Sequence, residues 1–200
     1  MIEWNEQHLM IRDMMRKFIE AEIKPNLEQL EHGDLPPYDI LRRMMQTFGI
    51  DEVARQRFAG QIAREKAKAA GQNGAAKEKS GEEGRDVGLT LIPIIELCRY
   101  CPGMVTAMGV SVGLTSAAIM SKGTIAQKER WALPLLTLEK IGAWAITEPD
   151  SGSDAFGGMK ATARRDGDTY VLNGNKTFIT NGPYADKIVF ICKLDDGQAT

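Results

Sequence analysis

The spacing of apolar residues changes once along this chain, near residue 140: upstream they recur at helical intervals, downstream they alternate. Over residues 5–23, Ile11, Met14, Met15, Phe18 and Ile19 fall on one stripe. Asn5 stands where an N-cap belongs and Pro25 marks an end, so the pattern predicts an amphipathic helix. A second helix is predicted to start near Pro37, burying Ile40, Leu41, Met44, Met45 and Phe48 and stopping at Gly49. The two Met pairs at helical spacing read as core packing.

Between Arg55 and Asp86 the pattern weakens. QIAREKAKAA favours helix, but GQNGAAKEKSGEEGRD is rich in glycine and charge with nothing to bury, which predicts a solvated, lid-like excursion over residues 55–86. Apolar residues resume from Gly88 to Tyr100, where Pro93 predicts a kink or a fresh helix start. Met104 to Met120 then runs without a charge and carries Gly109 and Gly113. This run falls short of the ~20 residues a bilayer span needs, its Ser and Thr dilute the apolar character, and no basic cluster flanks it. It therefore reads as a helix buried on all sides, whose small side chains let a neighbour come close. Thr124-Ile-Ala-Gln127 has the form of a capping box, opening a helix through Trp131, Leu135 and Leu138 that Pro134 bends or splits.

After Ile141 the period becomes two. IGAWAIT reads as a strand, MKATARRDG and TYVLNG as a hairpin, and NKTFITNG with KIVFICKL as its extension. Asp166-Gly167, Asn173-Gly174 and Asn181-Gly182 supply the turns. The predicted fold class is α+β, with an all-helical bundle over residues 1–140 followed by an antiparallel β-meander over 141–200. Because its last strand is left as an open edge, the meander reads as the beginning of a larger, β-barrel-like domain.

Composition and charge narrow the function. A net charge of -2 and 6% aromatic residues leave neither an electrostatic footprint nor a stacking surface for nucleic acid. The N-terminus lacks the basic, apolar, small-residue order of a signal peptide. Three cysteines are too few for a disulfide scaffold. Cys98 and Cys101 have CxxC spacing but end a helical run, and a zinc site would have to draw His8, His32 or Cys192 from far along the chain. No metal site is predicted; buried, reduced thiols and a cytoplasmic location are.

The stretch GAWAITEPDSGSDAFGG, residues 142–158, ends an apolar strand in a Pro turn and a cluster of Ser, Asp and Gly. Such a loop suits a phosphate or a heterocycle, since glycine permits close backbone approach and hydroxyls donate without charge. Ordinary turns favour the same residues. No P-loop, GxGxxG or GxSxG is present. Glu148 has no neighbour in the sequence that predicts the raised pKa of a general base, so no catalytic residue is assigned.

TEPDSGSD after an apolar strand, followed by NGNKTFITNG, resembles the acyl-CoA dehydrogenase family, as does the preceding GTIAQKERWALPLL. The resemblance runs from about Met104 to Asp195 and weakens across the N-terminal helices, and the Arg55–Asp86 segment departs from it. It implies FAD, held by the β-domain with the flavin between that domain and the helices. Trp144 and Ile146 would lie along the ring, and Thr147 would hydrogen-bond its edge. Gly152 and Ser153 would approach the pyrophosphate, with Ser153 also touching the CoA part of the substrate. Phe178, standing where many relatives have Trp, would flank the ring; Ile179 would give a backbone contact, and the Thr180 hydroxyl would sit near the redox-active nitrogen.

The resemblance further implies α,β-dehydrogenation of an acyl-CoA thioester to the trans-2-enoyl-CoA, with the β-hydrogen leaving as hydride to the flavin. Electrons then pass to an electron-transferring flavoprotein, and the full-length family enzyme is a homotetramer. In the family the base that removes the α-proton comes from a C-terminal helical domain. These 200 residues are expected to carry flavin- and CoA-contacting parts only, to be inactive alone, and to bind FAD weakly or not at all. Two alternatives are an acyl-CoA oxidase or related flavin monooxygenase of the same fold, and a non-catalytic subunit whose partner supplies the base.

Overall fold

The computed structural model describes residues 3–71 and 86–195. Asn5 caps helix α1 (Glu6–Phe18): its side chain accepts from His8 N–H at 2.9 Å, and the His8 ring accepts from Asn5 N–H at 3.3 Å. The helix widens into a π turn (Ile19–Ile23), tightens into a 3-10 turn at Lys24–Asn26 around Pro25, and leads into α2 (Leu27–Glu31). Helix α3 (Tyr38–Thr47) ends before Gly49, which takes the left-handed φ of 64°. Met15, Ile19 and Ile23 pack with Leu41, Met44 and Met45 into one apolar core. Of the predicted stripe, Met15 and Ile19 are buried, whereas Met14 faces solvent.

Helix α4 (Ile50–Ala69) corrects the excursion predicted from residue 55. Phe58 and Ile62, one turn apart, pack against Ala132, Leu133 and Leu136, and these contacts hold the helix down. Two ion pairs assist, Lys128–Glu65 at 2.7 Å and Lys66–Glu129 at 2.6 Å. The glycine-rich remainder, residues 72–85, lies outside the described residues.

Helix α5 (Val87–Cys98) is capped by Asp86 and carries Pro93 without breaking. It is bound to α1 at two levels: His8 Nε2 meets Asp86 Oδ2 at 2.7 Å, and Arg16 grips buried Glu96 with two bonds of 2.9 Å. The thiols correct one expectation. All three are free, but Cys98 is exposed, Cys192 is half-buried, and only Cys101 is buried, its pKa pushed up to about 11 mainly by desolvation.

Helices α6 (Pro102–Met108) and α7 (Ser116–Lys122) join through a π segment, Gly109–Thr115, into one continuous helix of 21 residues. Length and composition alone would let it cross a bilayer. Its packing is one-sided, which corrects the expectation of burial all round: Met104, Ala107, Ser111, Thr115 and Ser116 are buried, while Thr106, Gly109, Gly113 and Leu114 are exposed. The buried hydroxyls are satisfied, Thr115 by Val110 O at 2.8 Å and Ser111 by Gly142 N–H at 3.0 Å. Thr124 and Gln127 form the predicted capping box of α8 (Ile125–Gln127). A π turn (Lys128–Ala132) and α9 (Leu133–Leu136), with Pro134 in its first turn, complete the helical part.

The strands are β1 (Gly142–Ala145), β2 (Thr162–Asp166), β3 (Thr169–Asn173), β4 (Lys187–Phe190) and β5 (Lys193–Asp195). The predicted hairpin is β2–β3, turning at Gly167 with φ 59°. The meander is corrected: β1 pairs in parallel with β4, and β2 in parallel with β5, giving small sheets of order β1-β4 and β3-β2-β5. NKTFITNG is not a strand, because Phe178 (φ 53°) and Asn181 (φ 66°) are left-handed. The α+β class stands, as a helical part followed by strands in small mixed sheets. β1 lies so close to the π segment that a Cβ on Gly142 would sit 2.8 Å from Thr115 Cβ.

Candidate functional site

Strand β1 delivers Trp144 and runs on through Ile146 and Thr147 to a turn closed by paired bonds, Glu148 N–H to Ser151 O at 3.0 Å and Ser151 N–H to Glu148 O at 3.1 Å. Pro149 supplies the fixed φ that this tight reversal needs. Gly152 and Ser153 stand out from the turn, exposed.

Glu148 points inward. Its carboxylate accepts from Lys160 N–H at 2.7 Å, Ala161 N–H at 2.9 Å and the Lys176 ammonium at 2.9 Å. The Lys160 backbone bond and then Lys176 pull its pKa down to about 2. A carboxylate held ionised by so many donors anchors the loop and takes no proton near neutral pH.

The second segment meets the first here. Lys176 Nζ also donates to Ile146 O at 2.9 Å, and Thr177 N–H donates to Thr147 O at 3.0 Å. Phe178 follows, left-handed and 92% exposed. That backbone and that exposure are both unusual for a bulky aromatic residue. Ile179 and Thr180 are half-buried. Asn181 then fastens the segment to the helices: its amide donates to Ala107 O and Gly142 O, both at 2.9 Å, and accepts from Tyr38 Oη at 2.9 Å.

The structure thus brings Trp144, Ile146 and Thr147 alongside Phe178, Ile179 and Thr180, with Gly152 and Ser153 further out on the turn. An open, mainly apolar groove of about 480 Å³ takes Trp144 from these candidates and none of the others; Trp131, Ile119, Val189 and Ile191 line it too, with Lys122 and Gln127 among its polar members. Sequence reasoning missed Lys176, Asn181 and Tyr38. The signal for Lys176 was that it is the lone charged residue of NGNKTFITNG, and for Asn181 an Asn-Gly pair that reads equally well as a surface turn.

Family models match along almost the whole chain: the acyl-CoA dehydrogenase N-terminal domain over residues 5–139 and the middle domain over residues 143–200. The short-chain specific acyl-CoA dehydrogenase of Clostridium acetobutylicum is 32% identical over 195 residues, covering 98% of this chain and 45% of the relative. The 3-(aryl)acrylate reductase of Clostridium sporogenes is 34% identical over 199 residues, covering 98% and 46%. Among solved structures, acyl-CoA dehydrogenase from Geobacillus kaustophilus superposes with a TM-score of 0.71 at 31% identity, over 98% of this chain and 45% of that one. Acyl-CoA dehydrogenase from Bacillus anthracis complexed with FAD gives 0.64 at 31% identity, over 96% and 30%. The chain belongs to the acyl-CoA dehydrogenase family. It spans less than half the length of these relatives.

Proposed function

We propose that these residues are the helical domain (1–140) and the flavin-facing part of the β-domain (141–200) of an FAD-dependent acyl-CoA dehydrogenase. The reaction is α,β-dehydrogenation of an acyl-CoA thioester to the trans-2-enoyl-CoA, with electrons passed to an electron-transferring flavoprotein. The observation that carries this reading is the joining of the Trp144–Thr147 and Thr177–Thr180 segments through Thr147 O and Lys176 beside an apolar groove. The residues fit a flavin. Trp144 and Phe178 offer flat apolar faces, and Thr147 and Thr180 offer uncharged hydroxyls.

In this reading Trp144 and Ile146 lie along the ring, Phe178 flanks it with Ile179 giving a backbone contact, and Thr147 and Thr180 supply its hydrogen bonds. Exposed Gly152 and Ser153 serve the pyrophosphate, and Ser153 also the CoA portion of the substrate. Bound flavin supplies the two-electron acceptor for the substrate's β-hydrogen. The chain's own part is to bind, orient and shield; Glu148, ionised and fully engaged, holds the loop and moves no proton. Short-chain specificity of named relatives favours a short acyl group. The free thiols suit a reducing compartment such as the cytoplasm, and a homo-oligomer is the expected assembly. A second reading, reduction of an acrylate double bond, is favoured by the reductase among the relatives.

The test is titration of the purified chain with FAD, followed by tryptophan fluorescence and flavin absorbance. Weak, saturable quenching that Thr180→Val reduces is expected. Saturable quenching that Thr180→Val leaves unchanged refutes the flavin reading, and tight stoichiometric yellow colour refutes the expectation of weak or absent binding.

A further inference from the structure

Lys176 carries a full charge into a place where the flavin reading assigns it no task. Its side chain is 6% exposed and that of its partner Glu148 is 5% exposed. The ammonium has two acceptors at 2.9 Å, Ile146 O and Glu148 Oε1, and lies over the Phe190 ring at 5.3 Å from its centroid. Burying a lysine is costly unless the charge is matched, and here it is matched on several sides. A neutral apolar side chain here would leave the Glu148 carboxylate without its ammonium partner and Ile146 O without this donor, so the charge serves the joint between these two groups.

The use follows from which carbonyl is gripped. Ile146 O belongs to the amide whose N–H is that of Thr147. A cation on that oxygen draws electron density through the amide toward the O⁻–C=N⁺ form, which makes the Thr147 N–H a stronger donor. Glu148 shares its own charge with Lys160 N–H and Ala161 N–H, away from that oxygen, so it holds Lys176 without cancelling its action on the amide. The residue after Lys176 is also the one clasped to the first segment, through Thr177 N–H to Thr147 O at 3.0 Å. The Lys176 side chain and the Thr177 backbone thus grip adjacent carbonyls, those of Ile146 and Thr147.

We propose that Lys176 is a positioning residue: held by Glu148, its buried charge clasps the Ile146–Thr147 amide to the Phe178–Thr180 segment and strengthens that amide as a donor toward an electron-rich heterocycle. This rests on the flavin reading for its ligand, but the clasp itself does not. A heterocycle that gains electrons on reduction is favoured by a stronger donor, so Lys176 raises the reduction potential of a flavin bound there.

The experiment compares wild type with Lys176→Met, which keeps the stem without the charge, and Lys176→Arg, which keeps the charge. In the chain without flavin, Lys176→Met is expected to speed Thr177 amide hydrogen exchange about tenfold or more, as for loss of a local hydrogen bond, while α1 and α3 keep their protection. The Thr147 amide proton moves upfield in the same variant, and Lys176→Arg restores both values. Where Lys176→Met does not fold, Lys176→Gln, neutral yet able to donate, carries the same comparison. Unchanged exchange and shift overturn the inference, as does equal loss of protection throughout the chain. In FAD-loaded protein the flavin midpoint potential is expected to fall in Lys176→Met, and an unchanged potential overturns the inference while the flavin reading stands. If wild type binds no FAD, the clasp is decided by exchange and chemical shift.

Discussion

Replacing Asn181 by Ala removes one side chain and disconnects three elements. Tyr38 Oη on α3, Ala107 O on α6 and Gly142 O on β1 each lose a partner that stood at 2.9 Å. Asn181 is buried, so the orphaned groups gain little from water. The two carbonyls belong to regular elements that give them other partners, so each is set at the low end of the ~1–3 kcal/mol of a buried unsatisfied group, and the Tyr38 hydroxyl at about 1 kcal/mol. The backbone adds a further part. At φ 66° Asn is tolerated, whereas Ala costs ~1 kcal/mol. The total is about 4 kcal/mol, a large share of the ~5–15 kcal/mol of an ordinary domain. Urea unfolding followed by far-UV circular dichroism measures it. Asn181→Gly loses the same bonds but not the backbone preference, and is expected to retain about 1 kcal/mol more than Asn181→Ala. A cost below about 1 kcal/mol for Asn181→Ala, or a Gly variant no more stable than the Ala variant, refutes this role of Asn181.

Three further outcomes are expected. The depressed Glu148 pKa stabilises the fold above the ordinary carboxylate value of 4.5, and that contribution is lost as pH falls toward about 2; Glu148→Gln, lacking the titrating group, should show a flatter urea midpoint over this window, and parallel profiles would contradict it. Gly142→Ala drives a Cβ to 2.8 Å from Thr115 Cβ and Cγ2 and should cost ~1–3 kcal/mol, part of which Thr115→Ser recovers in the double variant; thermal melts of both variants decide the point. Phe58→Ala should cost about 3 kcal/mol in urea unfolding if α4 is packed as described, and a change within about 0.5 kcal/mol would put that helix back in solvent.

Local chemistry made much of the fold legible. α1 and α3 announce themselves by apolar spacing, the Asn5 cap and Gly49, and β2–β3 by a turn that needs only its own neighbours. Helix α4 was legible only in its second half, where QIAREKAKAA favours helix; Phe58 and Ile62 alone are buried, too few to print a stripe that would show it packed. The charge-free run of α6 and α7 foretells a helix with partners, but composition cannot say that one face packs on β1 and the other does not. The parallel pairings leave no local mark at all, since Gly142 meets Lys187 and Thr162 meets Lys193. At the site, the family motifs singled out both segments. What joins them was invisible, because Lys176 and Asn181 sit among polar neighbours and become buried only when distant elements close around them.

Those parallel pairings also set an order of assembly. As the chain emerges from a ribosome, β2 and β3 can close within microseconds of each other's appearance, while Gly142–Ala145 waits for Lys187–Phe190 with its hydrogen-bonding edge unsatisfied. The helices have all been made by then, and Ser111 already offers the Gly142 amide its first anchor. The helical part is thus the jig on which the Trp144 strand is parked until its partner arrives, and the clasp at Lys176, whose two acceptors precede it in the chain, can shut before β4 is made.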